Sequence, residues 1–252
     1  MTMLSVGGFT LGGFSGVWSK LHSRMRSLRF VGLTVILTLM LSCDNGESQP
    51  IVSELISEAV MQLNEIQSLH FTLELENAPI EVLPGFAVSY ADGDVVRPDK
   101  MQAELRGHAL GMGFAIEFRS IGESQYVTNP LAPDRWEILP NPAITGALLD
   151  PHEGVGALLT HLTNPELTDR AHINGTNTYV ITGKTDNVFV APLFQSSPAD
   201  GATTVQAWIG VEDSFVYQVI LTGATVVGDP DGVTRIIQFS AFDDVIEINR
   251  PL

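Results

Sequence analysis

The amino-acid sequence predicts an α+β fold built on an antiparallel sheet. After one amphipathic helical stretch, apolar residues recur with a period of two in segment after segment. Short turn signals, not helices, separate most of these segments, so neighbouring strands must run antiparallel. One aliphatic block punctuated by Asn-Pro and Asp-Pro pairs, residues 141–169, interrupts the series and reads as a helical insertion.

The chain opens on a different kind of segment. The charged residues before position 43 are Lys20, Arg24, Arg26 and Arg29, all basic, and the apolar run Phe30–Leu41 follows them. That run suits the hydrophobic region of a signal peptide and is short for a membrane span. It ends at Leu41-Ser42-Cys43, a small residue before the only cysteine of the chain. This resembles a lipobox, with Met40 an unusual residue three places before the cysteine. Cys43 is therefore the expected lipidation site, carrying a diacylglyceryl group that holds the protein on the extracytoplasmic face of a cell membrane. A free cysteine beside a membrane anchor is the alternative. The expected division is a signal peptide at 1–42, a lipidated tether at 43–49 and a folded domain at 50–252. Met25-Arg26-Ser27-Leu28-Arg29 also makes a normal basic start, so translation from Met25 is a second expectation.

Net charge narrows the function classes. The chain carries 13 basic and 29 acidic residues, net −16. Without the four basic residues of the leader the balance is −20. A polyanionic domain does not suit nucleic acid or anionic lipid headgroups. No cysteine follows Cys43, so the domain has no internal disulfide.

Pro50 begins a helical pattern in which Ile51, Leu55, Ala59, Leu63 and Ile66 form one stripe, while Glu54, Glu58 and Glu65 take the wet side. About five turns are expected. From Ser68 the period becomes two, with Phe71, Leu73 and Leu75 on one face. Further strands are expected at 86–90, 100–109, 113–121, 125–128 and 135–139, with turns at Asp92-Gly93, Pro98-Asp99, Gly111, Gly122-Glu123 and Pro133-Asp134. In 113–121, Phe114, Ile116 and Phe118 point one way and Glu117 and Arg119 the other.

The insertion pairs a capping residue with proline three times, at Asn141-Pro142, Asp150-Pro151 and Asn164-Pro165. Short helices are expected near 142–149 and 151–162, then a turn. They carry Leu148, Leu158, Leu159 and Leu162, and are weakened by Gly146, Gly154 and Gly156. Apolar, weakly held helices suit either a flexible cover or ordinary core. Strands resume after Arg170. Asn174-Gly175 is a hairpin signal before 177–183, and 186–194 is a short helix or loop. Strands at 203–211, 215–227 and 234–248 turn at Glu212-Asp213-Ser214 and at 228–232. The 215–227 segment is apolar on both faces, with Phe215, Tyr217, Val219 and Leu221 opposite Val216, Ile220, Ala224 and Val226. Either protein covers both faces, or one lines a cavity.

No catalytic constellation stands out: the chain lacks a nucleophile elbow, a P-loop, a dinucleotide fingerprint and zinc spacing. His70, His108, His152, His161 and His172 are scattered. Asp229-Pro230-Asp231-Gly232 reads as a turn more readily than as a calcium loop, and Asp243-Asp244 as an acidic strand edge. The expectation is no enzyme activity, no metal and no cofactor.

The order of elements resembles the LppX/LprG family of envelope lipoproteins, related in architecture to periplasmic lipoprotein carriers. The matching segments are Ile66-Gln67-Ser68-Leu69-His70-Phe71, the block Leu149–Leu159, Ile173–Tyr179 with Gly183-Lys184, Val205–Ile209 and Ile246–Pro251. The resemblance spans about Ile51 to Pro251 and implies a strongly curved antiparallel half-barrel. Its N-terminal helix and inserted helices would lie on the concave side and enclose an apolar cavity that holds acyl chains. By pattern, the expected cavity residues are Leu55, Ala59 and Leu63 from the helix, and Phe71 and Leu73 from the first strand. Phe114, Ile116 and Phe118 would face Leu158, Leu159 and Leu162 across a cleft, with Leu148, Val219 and Leu221 completing it. The implied function is non-enzymatic binding or transfer of an envelope lipid or glycolipid, with a membrane lipid exporter as partner by analogy. The alternatives are a lipoprotein chaperone or sensor using the same cavity, a structural envelope protein with a closed core and, more remotely, a hydrolase.

Overall fold

The computed structural model describes residues 50–83, 85–139 and 147–251. The expected signal peptide, Cys43 and the expected tether at 43–49 lie outside the described residues, as does most of the first expected inserted helix.

The helix α1 runs Val52–Glu65, 14 residues or about four turns. Leu55, Ala59 and Leu63 are buried at helical spacing, and Ile66 is buried just past the end. Glu54, Glu58 and Glu65 are exposed. Ile51 is not part of the buried stripe: it is the N-cap, in extended conformation and 58% exposed, because the helix starts one residue after it.

Twelve strands form one curved, unclosed antiparallel sheet. They are β1 Ser68–Glu76, β2 Ile80–Leu83, β3 Phe86–Val96, β4 Lys100–Ala109, β5 Met112–Ile121, β6 Ser124–Asn129 and β7 Ala132–Ile138. After the insertion come β8 Thr163–Ile173, β9 Thr176–Asp186, β10 Ala202–Gly210, β11 Val216–Thr222 and β12 Thr234–Ser240. The order across the sheet is β7-β6-β5-β4-β3-β1-β12-β11-β10-β9-β8, with β2 added to β3. Two local meanders are thus joined by pairing of β1 with β12, where Phe71 faces Phe239 and Leu73 faces Ile237.

Several expected turns are strand instead. Asp92-Gly93 lies inside β3, paired with Glu104 and Ala103 of β4. Gly93 is there for close approach: a Cβ at this position would sit 2.1 Å from the Gln102 carbonyl oxygen. Pro133-Asp134 belongs to β7, and the turn falls earlier, where Leu131 N–H donates to Asn129 Oδ1 (2.9 Å). Asn164-Pro165 is within β8, which begins seven residues before the expected Arg170; Asn164 has φ +49° and the pairing slips between Thr163 and Glu166. β7 and β8 are the two edges of the sheet, and an edge or a bulge is where a strand tolerates proline. Asn174-Gly175 is the two-residue hairpin expected, with φ +49° and +90° and Ile173 paired to Thr176.

Among its described residues, the insertion is less helical than its capping signals suggest. Ala147–Leu149 forms a 3-10 turn, and the helix α2 covers only Val155–Thr160. Asp150 does cap, but it caps a separate turn: its Oδ1 accepts from His152 and Glu153 N–H at 2.7 and 2.9 Å, and the chain bends again at Gly154 before α2 begins. Two more 3-10 turns, Asn187–Phe189 and Ala191–Phe194, follow β9.

The last strand is also shorter than the pattern implies. β12 ends at Ser240, and the chain folds back on the start of β1, with Gln67 N–H donating to Asp243 Oδ1 at 2.6 Å. Asp243 therefore holds a turn and is no strand edge. β11 stops at Thr222, and its pairing with β10 shifts beside Ile209, so Val216 and Val219 end on the same inner face. Phe242 of the tail packs on Phe215 in a tilted pair (centroids 4.5 Å apart) and meets Tyr217 edge-on, so protein covers this part of the second apolar face.

β7 and β8 are consecutive in the chain but lie at opposite edges of the sheet. Between them in the chain comes α2, which lies on the sheet's apolar face. There α2 packs against α1, and its residues 155–159 are all buried. The opposite face of the first meander is polar: Tyr90, Asp92, Gln102, Glu104 and Arg106 alternate with buried neighbours.

Candidate functional site

The inner face of β1, β3 and β4 supplies a floor of apolar side chains. Phe71, Leu73, Leu75, Val88, Ala91, Met101 and Leu105 line one side of a cavity of about 90 Å³, with Ile80 and Val82 of β2 beside them. The roof comes from connections: Leu148 of the first 3-10 turn, Leu193 and Phe194 of the third, and Gln195, which caps its end. A 3-10 turn is short and has poorer hydrogen-bond geometry than an α-helix. The floor is thus regular sheet and the roof is not.

Of the residues expected in a cavity, Phe71, Leu73 and Leu148 line this one. Leu55, Ala59, Leu63, Leu158 and Leu159 are buried where α1 and α2 meet the sheet, and do not line it. Val219 and Leu221 are fully buried on the inner face of β11. Leu162 lies over Gly183 of β9, its side chain 3.4 Å from where a Cβ would be. Phe118 is buried and Phe114 partly so. Ile116 lines a second cleft, of about 290 Å³, with Leu83, Phe86, Ala109, Val127 and Leu139. Phe114, Ile116 and Phe118 do share one face, but neither they nor Leu158, Leu159 and Leu162 reach the 90 Å³ cavity.

Two arginines that the sequence pattern did not single out organise the region. Arg97, in the β3–β4 turn, donates Nε–H to Ile66 O (2.8 Å) and Nη2–H to Leu63 O (3.0 Å) and Leu149 O (2.6 Å). It satisfies carbonyls at the C-terminus of α1, where a cation also suits the helix dipole, and ties the 3-10 turn bearing Leu148 to that helix.

Arg235 is fully buried on the inner face of β12 and forms a bidentate pair with Asp229: Nη1–Oδ2 2.9 Å and Nη2–Oδ1 2.7 Å. Asp229 Oδ2 also accepts from Thr225 N–H, Thr225 Oγ and Val226 N–H, at 2.8, 3.0 and 2.9 Å. Burial pushes the Asp229 carboxyl up. The hydrogen bonds from Arg235, Val226 and Thr225, with the Arg235 charge, more than reverse this and hold it at about 2. The acidic turn at 229–232 is thereby explained by an internal cation. A signal for this was present: Arg235 alternates with Ile237 and Phe239, an inward register, six residues after Asp229. Arg97 carried no such signal.

Comparison with known proteins places these features. The model of the LppX_LprAFG lipoprotein family matches residues 52–239. The crystal structure of LprF from Mycobacterium bovis is similar at a TM-score of 0.63 and 18% identity, covering 79% of this chain and 96% of that one. Lipoprotein LppX from Mycobacterium tuberculosis is similar at a TM-score of 0.57 and 19% identity, covering 80% and 100% respectively. At these identities the likeness shows the fold. No curated protein matches the chain.

Proposed function

Because the chain belongs to the LppX_LprAFG lipoprotein family, we propose that it is a non-enzymatic carrier that shields the acyl chains of an envelope lipid or glycolipid between its sheet and its roof. The observation that supports this is the division of the cavity wall: the sheet forms the floor, while Leu148, Leu193 and Phe194 from 3-10 turns form the roof. Pockets that hold small ligands measure roughly 300–1,000 Å³, against about 90 Å³ here. Acyl chains would enter by lifting the roof. The buried leucines of α1 and α2 would then become cavity wall, as would Val219 and Leu221. Each methylene transferred from water would contribute about 0.8 kcal/mol. A membrane lipid exporter would deliver or receive the lipid.

The small volume also favours a second reading, a structural envelope protein whose core stays closed. Leu73→Trp separates the two. In a carrier the indole fills the cavity, melting of the lipid-free protein changes little, and lipid detected by mass spectrometry in extracts of the purified wild type is lost. In a closed core, overpacking costs about 1–3 kcal/mol. A large drop in Tm, with no lipid on the wild type, would sink the carrier reading.

The anchor belongs to the same proposal. Two or three acyl chains on Cys43 hold a protein on a membrane where one chain holds it marginally. Cys43→Ala should move the protein from the membrane fraction to the soluble one. Retention equal to wild type would point to the uncleaved apolar segment as the anchor.

A further inference from the structure

Arg235 stands on the apolar inner face in register with Leu75 and Leu221, and Leu75 lines the cavity. Its guanidinium meets Asp229 end-on through the two terminal nitrogens. The remaining edge, carrying Nε–H, is buried and has no hydrogen-bond partner among the described residues. Native proteins seldom leave a buried donor without an acceptor, and charged donors least of all. The Phe194 ring lies against the guanidinium, its centroid 4.9 Å from Cζ. Phe194 is also a roof residue of the cavity. One aromatic ring therefore packs on the guanidinium and at the same time bounds the apolar space.

We propose that Arg235 is a polar anchor for the bound lipid: with Phe194 displaced, its Nε–H donates to the carbonyl oxygen that joins an acyl chain to its headgroup, in an ester or an amide. This rests on the carrier reading above. A neutral acceptor is the chemistry that fits. The cation is already matched by the buried Asp229 carboxylate, whose side chain is 4% exposed. A phosphate or free carboxylate brought to the same guanidinium would place a second negative charge beside Asp229 where water cannot screen it. A carbonyl oxygen satisfies the open donor and leaves the charge balance unchanged.

The test compares two probes on delipidated full-length protein: 1,2-dipalmitoylglycerol and the diether 1,2-dihexadecylglycerol, which lacks the carbonyls. Affinities are read by displacement of a polarity-sensitive fluorophore. A hydrogen bond from a charged donor corresponds to roughly ten-fold in affinity, so wild type should prefer the ester by about that factor. Arg235→Lys keeps a cation for Asp229 but removes Nε, and should bring the ratio near one. Phe194→Ala uncovers the guanidinium and serves as an independent variant; it should widen the ratio. Equal binding of ester and ether by wild type overturns the role of Arg235 and leaves the carrier standing. A preference unchanged in both variants also overturns it. Binding of neither probe overturns the carrier reading, and this inference with it.

Discussion

Replacing Asp229 with alanine is expected to destabilise the domain by about 3–5 kcal/mol, the range found when one partner of a buried ion pair is removed. Arg235 would be left fully buried without its carboxylate partner. The backbone N–H groups of Thr225 and Val226 would lose the carboxylate that holds the turn after β11. Chemical denaturation of both proteins measures the difference. The pH dependence gives a second reading of the same pair. The carboxyl is held at about 2 when folded, against an ordinary 3.8. A depressed carboxyl contributes stability above its unfolded value and loses it as pH falls through the folded one. The contribution, about 2 kcal/mol, should be present at pH 5, mostly lost at about pH 2 and gone near pH 1. The gap between wild type and Asp229→Ala should narrow by that amount over this window. A gap that stays constant would mean the pair is not the source of the stability.

Arg97→Ala is expected to loosen the roof and destabilise the domain by about 2–4 kcal/mol. Three carbonyls lose a charged donor, each such bond contributing roughly 1.5–3 kcal/mol before water replaces part of it. The loss should be local. Amides at Gly154 and Leu158, which donate to Asp150 O and Gly154 O, should exchange with solvent much faster, while those of β11 keep their protection. A uniform rise across both regions would show that Arg97 supports the whole fold and has no particular hold on the roof.

Much of the architecture was legible because the code for a half-buried strand is local. Phe71, Leu73 and Leu75 announce β1, and Phe114, Ile116 and Phe118 announce β5. Asn174-Gly175 fixes a hairpin because few other residues accept its backbone. The misses share one cause: glycine and proline mark turns on average, but tertiary position decides. Gly93 continues a strand because two backbones come too close for a Cβ. Pro133 and Pro165 sit in the edge strands β7 and β8. The cavity was less legible. Nomination included Phe71, Leu73 and Leu148, which do line it, but spread the rest over α1, α2, β5 and β11, whereas the floor is β1, β3 and β4 and the roof includes Leu193 and Phe194. Which inner residues end under helix and which beside a void depends on where the 3-10 turns settle. No periodicity encodes that.

The pairing of β1 with β12 sets a constraint on how the chain reaches this state. Phe71 bonds across to Phe239, a contact between distant parts of the sequence, whereas β3 to β7 and β8 to β12 each close through neighbours. Distant contacts come at a higher entropic cost and form late. A nascent chain can therefore build its first meander while one side of β1 remains an open template, rich in alternating apolar residues and able to recruit other chains. That hazard lasts until residues 234–240 arrive. The strand that ends in the middle of the sheet, between β3 and β12, keeps a free edge until then.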